Sequence, residues 1–173
     1  MLKLLTAGNK KLGPNIGAFS VPSGGKWCPG KSSLCAGKCY AHRYEKFRGI
    51  DYRPKGKVAK TNELIAAMKA ECAEYTTVRI HVAGDFFDAA YVRRWIKIAE
   101  ACPTVKFYTY TRSWRRPEIR VELEKLKALP NVRLFWSCDS ETGMPEDLRG
   151  DVAWMSENDM DVPPRKVRVV FRI

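Results

Sequence analysis

The chain has no apolar run near the ~18 uninterrupted residues that a membrane-spanning helix needs, so a membrane partner of that kind is not expected. Its opening, MLKLLTAGNKK, is too short in its apolar part for a secretory leader and runs into lysines where a small-residue cleavage site would stand. The expectation is a cytoplasmic protein. Internal repeats and low-complexity segments are missing as well, which argues against an array or a disordered tail. Acidic residues are scarce in one region only. Residues 1–60 carry ten Lys and three Arg against Glu45 and Asp51, a balance of +11, while the other 113 residues carry 18 basic and 17 acidic groups, a balance of +1. Almost the whole net charge of +12 therefore lies in the first third. Asymmetry of this kind implies a polyanion, and nucleic acid, DNA or RNA, is the expected partner.

What is present is a globular composition of 45% apolar residues in a single chain of 173. A chain of this length buries roughly two-thirds of its unfolded surface, so one domain over 1–173 is expected with no need of a covalent staple. In a reducing compartment the six cysteines then read as metal ligands, reactive thiols or core residues rather than a disulfide framework. Residues 1–57 form a basic segment rich in Gly, Pro and Lys, where only GAFSVP (17–22) has the look of a strand. From 58 onward the pattern is regular. Helices are predicted over 59–75, 88–102 and 116–129, and strands over 77–87, 105–113, 132–138, 152–156 and 165–173. Strands alternating with helices imply right-handed βαβ crossovers and an α/β fold. The expected form is a compact partial (βα) barrel or a curved, mostly parallel sheet of about five to six strands.

In such a sheet chemistry collects beyond the carboxyl ends of the strands. Cys72 and Cys102 sit on the apolar stripes of predicted helices and read as core. CPGKSSLCAGKCYAHR (28–43) is different, with Cys28, Cys35, Cys39 and His42 among glycines and lysines. Two metals suit it. Zinc takes four tetrahedral ligands, and Cys28, Cys35, Cys39 and His42 would make a Cys3His module. A [4Fe–4S] cluster takes thiolates at separate corners, and C-x6-C-x3-C with Gly30 and Gly37 lets the loop wrap such an object; the spacing favours the cluster. Cys138 at the end of a strand is either a fourth ligand on the same rim or a core residue in phase with Val132, Leu134 and Trp136. Asp85, after Gly84 at another strand end, is the candidate acid for proton transfer or for a cofactor amine, and alternatively caps the next helix. His81 reads as a satisfied core histidine.

For nucleic acid, the candidates in the first third are Lys26, Lys31, Lys38, Arg43, Lys46, Arg48, Arg53, Lys55 and Lys57. YTYTRSWRR (108–116) adds Arg112, Trp114, Arg115 and Arg116, interleaving aromatics with arginines as a base-stacking surface does. The two tyrosines of that stretch read equally well as packing.

The cysteine loop ending in CYA (39–41), followed by a strand ending HVAGDFF (81–87), resembles the start of a radical S-adenosylmethionine barrel. That resemblance implies a three-cysteine [4Fe–4S] cluster with one open iron, S-adenosylmethionine as cofactor with Gly84, Asp85 and Tyr40 as contacts, a 5′-deoxyadenosyl radical and an electron donor as a further partner. The loop departs from the usual spacing, with Lys38 before the last cysteine, Asp85 in place of Glu and Ala83 in place of the first Gly. More closely, KLGPNIGAFSVPSGGKWCPGKSSLCAGKCYA (11–41), RIHVAGDFFDAAYVRRWIKIA (79–99) and KFYTYTRS (106–113) resemble the phage and plasmid family called gene product eighty-eight. That places the protein in a host-cell cytoplasm. A cluster closed by Cys138 would instead imply a non-catalytic nucleic-acid-binding protein.

Overall fold

Strand-forming residues in this chain alternate, and the alternation decides the architecture. In the computed structural model, which describes residues 2–8, 13–144, 151–158, 161, 163–164 and 167–172, the strands are β1 (Thr6–Ala7), β2 (Ile16–Ala18), β3 (Thr77–Ile80), β4 (Lys106–Thr111), β5 (Val132–Asp139), β6 (Asp151–Ser156) and β7 (Val167–Arg172). The helices are α1 (Ser33–Gly37), α2 (Tyr40–Arg48), α3 (Arg53–Ala59), α4 (Glu63–Cys72), α5 (Ala89–Ala101) and α6 (Pro117–Lys127). All strands join one sheet in chain order, β1 antiparallel to β2 and every later pair parallel.

Strands taken in chain order with right-handed crossovers put their helices on one face. Parallel sheets covered on both faces read as unbroken apolar runs, whereas β4, KFYTYT, buries Phe107, Thr109 and Thr111 and leaves Tyr108 and Tyr110 half-exposed. In β5, Val132, Leu134, Trp136 and Cys138 likewise point into the helix-covered core. There Trp95 of α5 meets Phe107 edge-on, with ring centroids 6.3 Å apart. Cys72 and Cys102 lie in this same core.

The other face is concave. Tyr110 of β4 and Phe171 of β7 have ring centroids 5.0 Å apart, although two strands lie between them. On a flat sheet three strand spacings separate such residues by about 14 Å, so the sheet curls until its uncovered face closes on itself.

Several sequence-based boundaries move. The strand expected over 77–87 stops at Ile80, because His81 and Gly84 take left-handed φ values of +66° and +78°. Of the helix expected over 59–75, α4 covers Glu63–Cys72, and three short helices, α1, α2 and α3, lie between residues 33 and 59 where none was expected. Among the described residues seven strands are present instead of five or six, β1 having been too short to register. Of the strand expected over 165–173, Val167–Arg172 is β7, and residues 165, 166 and 173 lie outside the described ones.

Gly84 has a second reason to be glycine. A Cβ there would stand 2.3 Å from Val21 Cγ2 and 2.8 Å from the Pro22 carbonyl oxygen. Gly84→Ala is expected to cost about 3 kcal/mol, from backbone strain and overpacking together. A urea titration reads this as a lower midpoint with an unchanged slope.

Candidate functional site

The carboxyl ends of β3, β4 and β5 meet the cysteine segment, and a buried ion pair joins them. Arg112, just after β4, is 5% exposed. Its guanidinium donates to the Asp139 carboxylate at the end of β5, to Ser32 Oγ at 2.7 Å and to Ser137 Oγ at 3.1 Å. Ser32 in turn donates to Asp139 at 2.6 Å and accepts the Cys35 N–H at 3.0 Å, capping α1. Glu141 accepts the N–H groups of Ser33 and Leu34 at 3.0 and 2.9 Å. Arg115 and Arg116 donate to the carbonyls of Gly30, Lys31 and Pro29. Gly30 lies so close to β4 that a Cβ would fall 2.0 Å from the Arg112 carbonyl oxygen.

These ties place Cys28, Cys35 and Cys39 around a cavity of about 560 Å³. Its wall includes Tyr40, Arg79, His81, Gly84, Asp85, Tyr110 and Phe171. The cavity is basic: Lys31, Lys38, Arg43, Arg79, Arg112 and Arg172 line it against Asp85 alone. A smaller recess behind it is lined by the same three cysteines together with His42.

The three thiols are half-buried, and two sulfurs accept backbone N–H bonds, Cys28 from Gly24 at 3.3 Å and Cys39 from His42 at 3.4 Å. Burial, then the nearby Asp85 carboxylate, pushes the Cys28 thiol up to about 12. Burial also raises Cys35, against the pull of the Arg112 guanidinium. Among the described residues no three of His, Cys, Asp and Glu converge closely enough to hold a metal ion. A tetrahedral zinc ion needs that convergence. A cubane takes its thiolates on different iron atoms; here the three cysteines line one cavity, with N–H donors at two sulfurs and the Arg112 guanidinium near the third.

Cys138 stands apart. It is 0% exposed, packed in the core on the helix-covered face, while its neighbour Ser137 faces the cavity. Burial pushes its thiol to about 12.

Asp85 lines the cavity, but its carboxylate is already engaged, accepting from Thr111 Oγ1 at 2.6 Å and from the N–H groups of Phe86 and Arg112 at 2.7 and 2.9 Å. Burial nevertheless raises its pKa. The helix cap is Asp88, which accepts the Tyr91 N–H at 2.7 Å. Tyr40 donates its hydroxyl to the Val82 carbonyl at 2.9 Å.

The aromatic and basic residues of 108–116 do not all share one exposed face: Tyr108 and Tyr110 are half-exposed and Arg115 and Arg116 exposed. Arg112 and Trp114 are buried, Trp114 donating to the Ser137 carbonyl, and Arg115 and Arg116 hold the cysteine segment. In the first third, Arg53 pairs with Asp51 and Lys55 donates to the Leu4 carbonyl at 2.6 Å, while Lys31 donates to Gly25. Lys26, Lys38, Arg43, Lys46, Arg48 and Lys57 are exposed.

His81 differs from a satisfied core histidine. Its Nε2 lies 2.8 Å from Tyr91 Oη, but its buried Nδ1 has no partner among the described residues, and the ring lines the cavity. A histidine in a strand gives no warning of this; the left-handed turn at its Cα is what aims the ring.

Burial, with Arg79 adding to it, pulls the His81 pKa down to about 3. A histidine depressed below its unfolded value near 6.5 takes up a proton on unfolding. Its contribution is therefore present above about pH 6.5 and is lost as the pH falls toward 3, at up to about 1.4 kcal/mol per pH unit. Acid denaturation followed from pH 7 to 4 is expected to be shallower by about that slope in His81→Gln. The ion pair gives a second expectation: Asp139→Asn leaves the Arg112 charge buried without its counter-ion, at a cost of about 3 kcal/mol in chemical denaturation.

The family profile described as Gene product 88 matches residues 3–171. Among curated proteins, the Gene 88 proteins of Mycobacterium phage L5 and Mycobacterium phage D29 are each 28% identical over 141 residues, covering 72% of this chain and 57% of theirs. The chain thus spans little more than half the length of the curated relatives it matches. No solved structure matches it.

Proposed function

The chain belongs to the gene product 88 family, and on that footing we propose an iron–sulfur protein in which Cys28, Cys35 and Cys39 hold a [4Fe–4S] cluster beside the basic cavity. One iron is left open toward that cavity, and nucleic acid is the partner of the positively charged side. One observation carries the reading: the sheet divides the four candidate thiols, three on the cavity and Cys138 sealed in the core behind it. A cluster held by three cysteines keeps a corner for a ligand. The sheet is curled with helices on one face, and the cavity's volume falls within the range of small-molecule cofactor sites.

Bound there, such a cluster supplies single electrons, and an open iron suits reductive cleavage of a sulfonium cofactor of the S-adenosylmethionine type. The chain's own residues hold the site. The Arg112 guanidinium offsets part of the burial that raises Cys35, and the Gly24 N–H does the same at Cys28; the Cys39 sulfur accepts the His42 N–H. Asp85, bound by three donors, fixes the turn after β3 against β4. The unpartnered Nδ1 of His81 offers one hydrogen bond to a cofactor or substrate.

Anaerobic reconstitution is expected to load about four iron and four sulfide per chain. Cys28→Ser, Cys35→Ser and Cys39→Ser should each lose the cluster, and Cys138→Ala should keep it while losing about 1 kcal/mol of stability. The paramagnetic resonance of the reduced cluster should shift on adding S-adenosylmethionine. Loss of the cluster in Cys138→Ala, or a resonance indifferent to the cofactor, removes the open iron. One equivalent of zinc and no iron removes the cluster altogether. Binding to nucleic acid should weaken steeply with salt, and a flat response removes that partner.

A further inference from the structure

α2 is amphipathic, yet almost bare. Of its nine residues only Ala41 is buried. Tyr40, Tyr44 and Phe47 are 57%, 50% and 87% exposed, and with Arg43 they occupy positions i, i+4, i+7 and i+3, one stripe of a helix. A stripe of that kind normally faces a core. Here it faces outward, and its surroundings are basic. Arg43, Lys46 and Arg48 are exposed, with the Arg48 guanidinium 5.6 Å from the centroid of the Tyr44 ring. The helix's one carboxylate, Glu45, is engaged by the Ser23 N–H at 3.1 Å. Tyr40 and Arg43 also line the large cavity. The stripe therefore begins at the cavity mouth and runs outward for about 10 Å of helix axis.

We propose that this stripe docks a single-stranded nucleic acid, with Tyr44 and Phe47 stacking its bases, Arg43, Lys46 and Arg48 meeting its phosphates, and the strand led toward the cavity at Tyr40. The inference rests on the nucleic-acid partner named above and adds the strand state and the residues. Charge complementarity chooses the occupant. Three exposed cations close to exposed rings suit a polyanion with accessible aromatic faces, and a single strand presents the base faces that a duplex keeps in its stack. An apolar protein partner would have to strip water from those same cations with no anion to meet them.

Fluorescence anisotropy with the full 173-residue chain tests this, using a labelled oligothymidylate, its oligouridylate counterpart and a duplex of equal length. Tyr44 and Phe47 are exposed, so their alanine variants should fold, and circular dichroism checks that they do. Phe47→Ala and Tyr44→Ala should each weaken single-strand binding by about 5-fold or more without changing its salt slope. Phe47→Trp should restore it. Lys46→Ala should lower the slope by about 0.7. Equal affinity for the duplex, or an unchanged affinity in the double variant Tyr44→Ala/Phe47→Ala, overturns the proposal while leaving a nucleic-acid partner standing. No binding by the unaltered chain at low salt overturns both. Concentration-dependent self-association that the double variant abolishes assigns the stripe to a second copy of the chain and overturns it as well. None of these outcomes touches the cluster, whose loading is measured separately.

Discussion

The buried pair of Arg112 and Asp139 is the contact on which the placement of the cysteine segment depends. A buried ion pair adds little net stability against an apolar substitute, but its loss on one side leaves an uncompensated charge. What it provides here is position. Arg112 ends β4, Asp139 ends β5 and Ser32 opens α1, so a single guanidinium fixes two strand ends and the start of the helix that carries Cys35. The carbonyls of residues 29–31 are held from the same side by Arg115 and Arg116. A segment with few apolar residues of its own is thus located by polar contacts to a rim built from apolar strands.

That rim exists because the sheet is covered on one face only. Chain-order strands send their helices to the same side, the core forms there, and the opposite face curls. The curl gathers groups from distant strands. Arg79 of β3 lies with its guanidinium 5.7 Å from the centroid of the Tyr110 ring in β4, and Tyr110 meets Phe171 of β7. Side chains that alternate in sequence between covered and uncovered faces become core and cavity wall respectively. Cys138 and Ser137 are neighbours in the chain and fall on opposite sides of this division.

The regular second half of the chain is readable in advance because its periodicity is driven by burial. The stripes of α4, α5 and α6 and the alternation in β4 and β5 report the one face each must hide, and Cys72 and Cys102 follow from the stripes of α4 and α5. The first third resists the same reading. α1 has no buried residue and α2 only one, so neither has a face that the core hides, and both are fixed by caps: Ser32 for α1 and the Cys39 sulfur for α2. Asp85 was legible as a strand-end acid, but its three donors come from residues as far as 27 positions away. His81 was legible as buried, and only the turn at its backbone reveals which way its ring points.

The charge asymmetry of the sequence separates into two populations once the chain is folded. One is spent on the fold: buried Arg112 on Asp139, the exposed Arg115 and Arg116 on carbonyls, half-buried Lys55 on the Leu4 carbonyl. The other is exposed: Lys38 at the cavity, Arg43, Lys46 and Arg48 on α2, and Lys57 on α3. Arg112 is already desolvated and paired, so a further anion would add little there, whereas the exposed cations still hold their hydration. Under the proposed reading, the cavity mouth and α2 are where a polyanion would meet exposed cations. The arginines after β4, which a sequence reading groups with them, belong to the scaffold that holds the cysteines.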